Sequence, residues 1–216
     1  MASTAILAQG TTFSIAGAAG AALTITAITK SATGAVCSCT TPPAVGTAVV
    51  FTAATGMPEI VGRYGLVTAV SAGTSFTVNI DSSGFATAAT AASAAPQTWV
   101  AVNNIHDYSG FDGVSAEIDV TNLQSLAKEY SPGLEDFGQF AVNLDVDTTD
   151  AGQIAMRAAK TSQSKTYFRL VMRNGNIRLI YGFVKKFSEQ AAVDAVVKAS
   201  VDVRISSRPS FSEVVN

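Results

Sequence analysis

A single histidine, His106, is the one side chain of the 216 residues that titrates near neutrality when unperturbed. It stands in Asn104-Ile105-His106-Asp107-Tyr108, where a strand gives way to a loop. Nucleophilic hydrolysis needs such a ring between a nucleophile and an acid. Asp107 is adjacent, but neighbours on a strand point to opposite faces, so His106 reads as a structural or surface residue. Cys37 and Cys39 share one strand face. Two cysteines and one histidine are too few soft ligands for a structural zinc site. A bond between residues i and i+2 of a strand is strained, so two free thiols in a reducing compartment are expected. The acids between 107 and 150 could supply a carboxylate pair for glycoside hydrolysis, yet neither spacing nor aromatic context selects one. No GxxxxGK[ST] or GxGxxG loop is present to cradle a phosphate. The expectation is a protein that is not an enzyme and carries no metal or cofactor.

The charges are unevenly distributed. Residues 1–100 hold only Lys30, Glu59, Arg63 and Asp81. Residues 101–150 hold ten acids against one base, Lys128, whereas 151–216 hold eleven bases against four acids. The net of −2 therefore averages a −9 segment and a +7 segment. Such a chain either neutralises itself internally or presents opposite signs on different surfaces. High apolar content with low net charge excludes overall disorder. A sequence pI near 5.3 offers no global electrostatic case for nucleic-acid binding. No run approaches 18 apolar residues, so no membrane-spanning helix is expected. Met1 to Gln9 carries no Lys or Arg and no adequate apolar core, so no secretory signal peptide is expected either.

The elements follow from periodicity. The first hundred residues, with 24 Ala and 18 Thr, contain short alternating segments: Leu23 to Thr29, Val36 to Thr40, Thr47 to Thr52, Tyr64 to Val70 and Ser75 to Ile80. Branching at Cβ favours strands there. Ala86 to Ala95 reads either as a final strand or as a linker. Beyond it, Trp99 to Ile105 predicts a strand, as do Val114 to Thr121 and Phe140 to Asp147, the last with one wet, acidic face. Asp150 predicts a helix N-cap with Gln153 as its capping-box partner. Ile154, Ala155, Ala158 and Ala159 would form the buried stripe of a helix to about Thr161. Asn174-Gly175 predicts a tight hairpin turn between Thr166–Arg173 and Ile177–Phe187. Val197, Ala199, Val201, Val203 and Ile205 face inward on the closing strand. The fold class is mainly β (α+β): an antiparallel β-sandwich or barrel with one flanking helix, plus a small all-β module.

An ordered series of short pieces in the middle of the chain carries a family resemblance. Ile105 to Gly110, Ala116-Glu117-Ile118-Asp119-Val120-Thr121-Asn122-Leu123, Ala127-Lys128-Glu129-Tyr130-Ser131-Pro132-Gly133-Leu134 and Glu135-Asp136-Phe137-Gly138-Gln139-Phe140 stand in the order seen in lambda-like major tail proteins. The sequence thus resembles the tail tube proteins of long-tailed bacteriophages over about 100–208. Phe137, between the acid and the glycine, departs from the pattern. Some of these proteins carry an extra β-module after their first strand, which Thr55 to Tyr64 and the segments Phe76 to Val78 and Asp81 to Phe85 resemble. The resemblance then implies a discontinuous main domain, 1–19 plus 98–216, and an inserted module, 20–97, on the outer tube surface.

The resemblance implies a structural virion protein. Its hexameric rings stack head-to-tail into a tube that conducts DNA into the host. It would be assembled in the host cytoplasm and located in the virion tail. The implied partners are further copies of the chain, tape-measure and tail-tip or terminator proteins, and DNA passing without specific binding; no membrane partner is implied. Stacking is a heterologous contact and needs two complementary surfaces on one molecule. The loop 107–136, carrying seven acids, is expected to reach a neighbouring subunit. Asp119, Lys128, Glu129, Glu135 and Asp136 would there meet bases such as Arg157, Lys160, Arg169 and Arg173. A conduit must not grip phosphates, and Asn143, Asp145 and Asp147 are candidates for its wall, or else for an ordinary solvent-exposed strand face. A β-rich adhesin or carbohydrate-binding module is the competing expectation from the Thr-rich half.

Overall fold

The computed structural model describes residues 8–207 and 209–212. Residues 1–7 of the expected first segment, with Arg208 and 213–216 of the second, lie outside the described residues. The strands are β1 (Thr12–Ala19), β2 (Leu23–Ile25), β3 (Ala27–Thr29), β4 (Ala35–Ser38), β5 (Ala48–Thr55), β6 (Tyr64–Ser71), β7 (Ser75–Val78) and β8 (Ala91–Val102). There follow β9 (Ile105–Gly110), β10 (Val114–Asp119), β11 (Tyr130–Asp136), β12 (Gln139–Asp145), the helix α1 (Ala151–Ser162), β13 (Thr166–Val171), β14 (Ile177–Gln190), β15 (Lys198–Ile205) and β16 (Ser210–Ser212). Among the described residues the structure is mainly β, with antiparallel strand pairing and one α-helix.

The chain divides into two compact units. One comprises Met1–Ile15, Val100–Asn174 and Arg178–Phe211, the other Ala16–Trp99, Gly175–Ile177 and Ser212–Asn216. The dividing lines fall inside β1 and inside β8.

In the first unit the strand order is β1-β13-β14-β15-β12-β9. The inward alternation of β12 (Phe140, Val142, Leu144) meets that of β15 (Ala199, Val201, Val203) in antiparallel register, and all six are buried. Phe140 centres an aromatic cluster: its ring lies 5.3 Å from Phe13, 5.7 Å from Tyr108 and 5.3 Å from Phe111. Val197, expected to face inward, precedes β15 and is exposed.

The helix begins as its sequence predicts. Asp150 Oδ1 accepts from the Gln153 N–H at 2.8 Å. The reciprocal half of the capping box is replaced. The Gln153 amide turns inward, accepts from Asp147 N at 2.9 Å, and donates to Asp145 O at 2.9 Å and Asn103 O at 3.3 Å. Satisfying those backbone groups rotates the helix, so the buried face is Gly152, Gln153, Met156 and Ala159. Ile154 and Ala158, expected in the stripe, are exposed.

Asn174-Gly175 does connect β13 to β14, but within a five-residue loop, 172–176, rather than a two-residue turn; the positive φ falls on Gly175 at 85°.

In the second unit the order is β3-β4-β7-β6-β5-β8, with β2 also on β8. The single strand expected over Leu23 to Thr29 breaks at Thr26, whose N–H donates to Ser38 O; β2 then pairs with β8 and β3 with β4. Ala91 to Ala95 resolves as the start of β8. Cys37 and Cys39 are free and buried in this unit's core, and burial, then the neighbouring Cys39, pushes the Cys37 thiol up to about 12. Three of the four charges of the first hundred residues converge on Phe85 and Ala86. Lys30 Nζ donates to Phe85 O, the Arg63 guanidinium lies 4.9 Å from the Phe85 ring centre, and Glu59 Oε1 accepts from Ala86 N at 3.0 Å.

Candidate functional site

Residues 107–110 of the segment expected as a loop complete β9, and 114–136, which include the strand expected over Val114 to Thr121, form a hairpin. Its strands β10 and β11 form a two-stranded sheet of their own, with Val114 opposite Asp136, Glu117 opposite Pro132, Ile118 opposite Ser131 and Asp119 opposite Tyr130. A bulge between Ser115 and Glu117 breaks the register. Period-two alternation then gives the hairpin two faces. Val114, Ala116, Ile118 and Val120 share one face with Ser131, Gly133, Leu134 and Asp136. Ser115, Glu117 and Asp119 share the other with Tyr130, Pro132 and Glu135.

Neither face is covered. Val114 is 68%, Ile118 52% and Leu134 90% exposed. An isolated two-stranded hairpin is marginal in water, and a row of exposed apolar side chains along it is a candidate interaction surface. The alternation that would bury a strand against its own core here buries nothing within the chain.

The base of the hairpin is clamped to the sheet. Phe111 N donates to Gln139 O at 3.0 Å, and Gln139 N donates to Asp112 Oδ1 at 2.8 Å. Asp136 Oδ1 accepts from Gly138 N at 2.9 Å, while its Oδ2 meets Arg204 Nη2 at 2.5 Å. The Gly138 N–H, then the Arg204 guanidinium, hold the Asp136 carboxyl below its ordinary range. Gly138 has φ 74°, and a Cβ there would lie 2.3 Å from Asp112 Oδ1. Only glycine serves both demands. Gly138→Ala should cost roughly 2–3 kcal/mol and free the hairpin base; a fall in melting temperature with faster amide exchange at Gln139 checks it.

A second polar surface covers the outer face of β9-β12-β15. Asn143 Nδ2 donates to Asp107 Oδ1 at 2.7 Å, and His106 Nε2 lies 2.8 Å from Asp145 Oδ2. His106 therefore pairs with Asp145 across the sheet rather than with its chain neighbour Asp107. A bulge in the β9–β12 register, between Asn143 and Leu144, accompanies this pairing. The His106–Asp145 contact joins β9 to the end of β12. In register, Asp145 stands opposite Lys198 and Gln139 opposite Arg204. The face mixes both signs.

Of the sequence-predicted contact residues, Asp119, Lys128, Glu129, Glu135 and Asp136 all lie on the hairpin or its tip. Asp119 is held below its ordinary range by the Thr121 hydroxyl and N–H. The bases divide. Arg157 is engaged within the chain, 3.3 Å from Glu189 and over the Phe187 ring at 4.9 Å. Lys160 is exposed on the last turn of α1. Arg169, in β13, is half-buried, and its desolvation lowers its pKa. Arg173 lies in the loop after β13. Asp147 is beyond the end of β12 and accepts from the Thr149 hydroxyl at 2.7 Å.

This architecture can be compared with known proteins. Residues 82–179 match the family model of the phage tail tube, TTP, lambda-like. That stretch is thus similar to the lambda-like phage tail tube family. The matched residues include the uncovered hairpin, all of its clamp but Arg204, β12 and α1. A chain of the solved structure described as the tail of an empty GTA particle, with C6 symmetry, aligns at 12% identity and TM-score 0.45, covering 53% of this chain and 87% of that chain. No curated protein matches the sequence. Sequence reasoning found the hairpin's residues and their alternation. It missed their pairing, although Pro132-Gly133 marks the strand irregularity that the bulge produces. It also missed the clamp, whose partners Asp136 and Arg204 are 68 positions apart.

Proposed function

We propose that this chain is a tail tube protein whose hexameric rings stack head-to-tail into a hollow tube, and that the β10–β11 hairpin is the element reaching into a neighbouring copy. One observation carries this: a clamped, ordered hairpin of a tail tube chain leaves its apolar face uncovered. In the isolated chain that face costs apolar hydration, about 1.5–3 kcal/mol for each large aliphatic side chain left in water. A partner copy removes the cost. The acids Glu117, Asp119 and Glu129 flank the strip and supply polarity and register, meeting exposed bases such as Lys160 or Arg173 of the neighbour.

The outer face of β9-β12-β15 is the proposed wall of the bore, with Asn143 and Asp145 on it and Asp147 at its end. Paired acids and bases leave this wall near neutral, which suits a conduit through which a polyanion slides. The DNA passes without specific binding. The 20–97 module, nearly uncharged and with its own core, is proposed as an insertion in the main domain 1–19 plus 98–216 that decorates the outside of the tube. Tape-measure, tip and terminator proteins would meet the ends of the stack, and assembly would take place in the host cytoplasm. Charge reversal tests the trans contact: Glu129→Lys should leave the monomer folded and block tube formation, scored by sedimentation, and normal tubes from that variant would sink the proposal.

A further inference from the structure

The first unit contains an apolar pocket of about 380 Å³, open to solvent, between β9 and the start of β1. Its walls are Phe13, Ile105, Tyr108, Val142 and Leu170, with His106 and Asp107 on the rim. Its lining includes Thr11, whose Oγ1 is buried with no hydrogen-bond partner among the described residues. A buried hydroxyl without a partner marks a surface that something else completes.

The same unit carries a matching knob. The hairpin tip is tied by Asn122: its N–H donates to Ser125 Oγ at 3.1 Å, its Oδ1 accepts from Gln124 N at 2.9 Å, and its O accepts from Ser125 N at 3.0 Å. This folded turn projects Leu123 and Leu126, at 107% and 104% exposure, fully into solvent. Neither touches its own chain's pocket. Two residues beyond Leu126 stands Lys128, the only base of 101–150. The pocket rim carries the exposed carboxylate of Asp107.

We propose that the pocket between β9 and β1 is the seat for the Leu123–Leu126 tip of a second copy, with Lys128 meeting Asp107 at the rim. Three features fit one occupant. The pocket is apolar and takes aliphatic side chains; the rim is acidic and the tip basic; and the backbone of the tip brings hydrogen-bonding groups to Thr11. A knob and a hole at different places on one chain make a heterologous contact, which propagates from copy to copy instead of closing on a pair. The proposal rests on the hairpin acting in trans and adds where it lands.

The test uses the full chain. Leu123→Ser with Leu126→Ser removes side chains that touch nothing in the monomer; the protein concentration needed for assembly should rise at least tenfold, with the monomer's melting unchanged. Lys128→Asp and Asp107→Lys should each weaken assembly, and the two together should restore it. Chains carrying Leu126→Cys, mixed with chains carrying Tyr108→Cys and oxidised, should form a crosslinked dimer that neither population forms alone; the native cysteines are buried and do not compete. Assembly of the double serine variant at the wild-type concentration would overturn the proposal. So would Tyr108→Cys becoming reactive only when residues 2–7 are deleted, since the chain's own first residues would then fill the pocket. Excising 114–136 separates the two ideas. If excision abolishes assembly but the serine pair does not, the seat is wrong and the hairpin still acts in trans. If excision leaves assembly intact, both fall.

Discussion

Tubes should not form from a chain carrying Ile118→Asp and Leu134→Asp, while its monomer should melt within about 2 °C of the wild type. Both side chains are exposed, so their replacement changes monomer stability by no more than about 0.5 kcal/mol, or roughly 1–2 °C in a domain of this size. The assembled state is different. Each substitution removes an apolar group that the partner would bury and adds a carboxylate that it would have to desolvate. Two such losses at the centre of a contact amount to about 3 kcal/mol or more, roughly a hundredfold or greater weakening at every interface. Every copy carries the change, so the losses accumulate around a ring and along a stack. Analytical ultracentrifugation reads both halves of the expectation, the unchanged monomer and the absent polymer. Tubes at the wild-type concentration would show that the uncovered face is not the contact.

The second large effect lies in the interior. Gln153→Leu fills much the same space but withdraws three hydrogen bonds, stranding Asp147 N–H, Asp145 O and, more weakly held, Asn103 O. A buried backbone group left unpaired costs roughly 1–3 kcal/mol. The substitution should therefore cost about 3–5 kcal/mol in all and lower the melting temperature by roughly 10 °C. By contrast Ile154→Ala, one residue on, should be nearly neutral, because Ile154 is 48% exposed. Thermal melts of the two variants side by side decide between this interior and the stripe that the apolar pattern alone predicts, under which Ile154→Ala would be the damaging change.

That contrast shows what could be read in the residues. Alternation in Phe140-Val142-Leu144 and in Val201-Val203-Ile205 was legible because period two and burial coincide there. The N-cap was legible because Asp150 and the Gln153 N–H interact over one turn. The direction of the Gln153 side chain was not legible, since its partners Asn103, Asp145 and Asp147 reach it only after β8, β12 and α1 have met. The clamp was hidden for the same reason: Arg204 reaches Asp136 because Gln139 stands opposite Arg204 in the β12–β15 register. At the hairpin, the alternation was correct and its usual meaning failed. Val114, Ala116, Ile118 and Val120 read as a buried strand face, and all four are exposed; the proposed function gives that face to a partner copy.

The charge polarity of the sequence is also clearer. Part of it neutralises internally, through Asp136 with Arg204 and Arg157 with Glu189. The acids Glu117 and Glu129 form no ion pair among the described residues, and Lys160 stands exposed at the end of α1. Internal neutralisation thus accounts for part of the polarity, and the exposed acids and Lys160 are the charges left for the proposed contact between copies.

The central claim is that copies of this chain build a tube through the hairpin, with the β9-β12-β15 face inward. An electron cryo-microscopy reconstruction of the purified, assembled protein tests it most directly. The account predicts stacked six-membered rings, hairpin density crossing to a neighbouring copy, Asn143 and Asp145 on the bore, and the 20–97 module outside. A monodisperse monomer at high concentration, or a tube whose bore is lined by another face with Asp145 pointing outward, would contradict it.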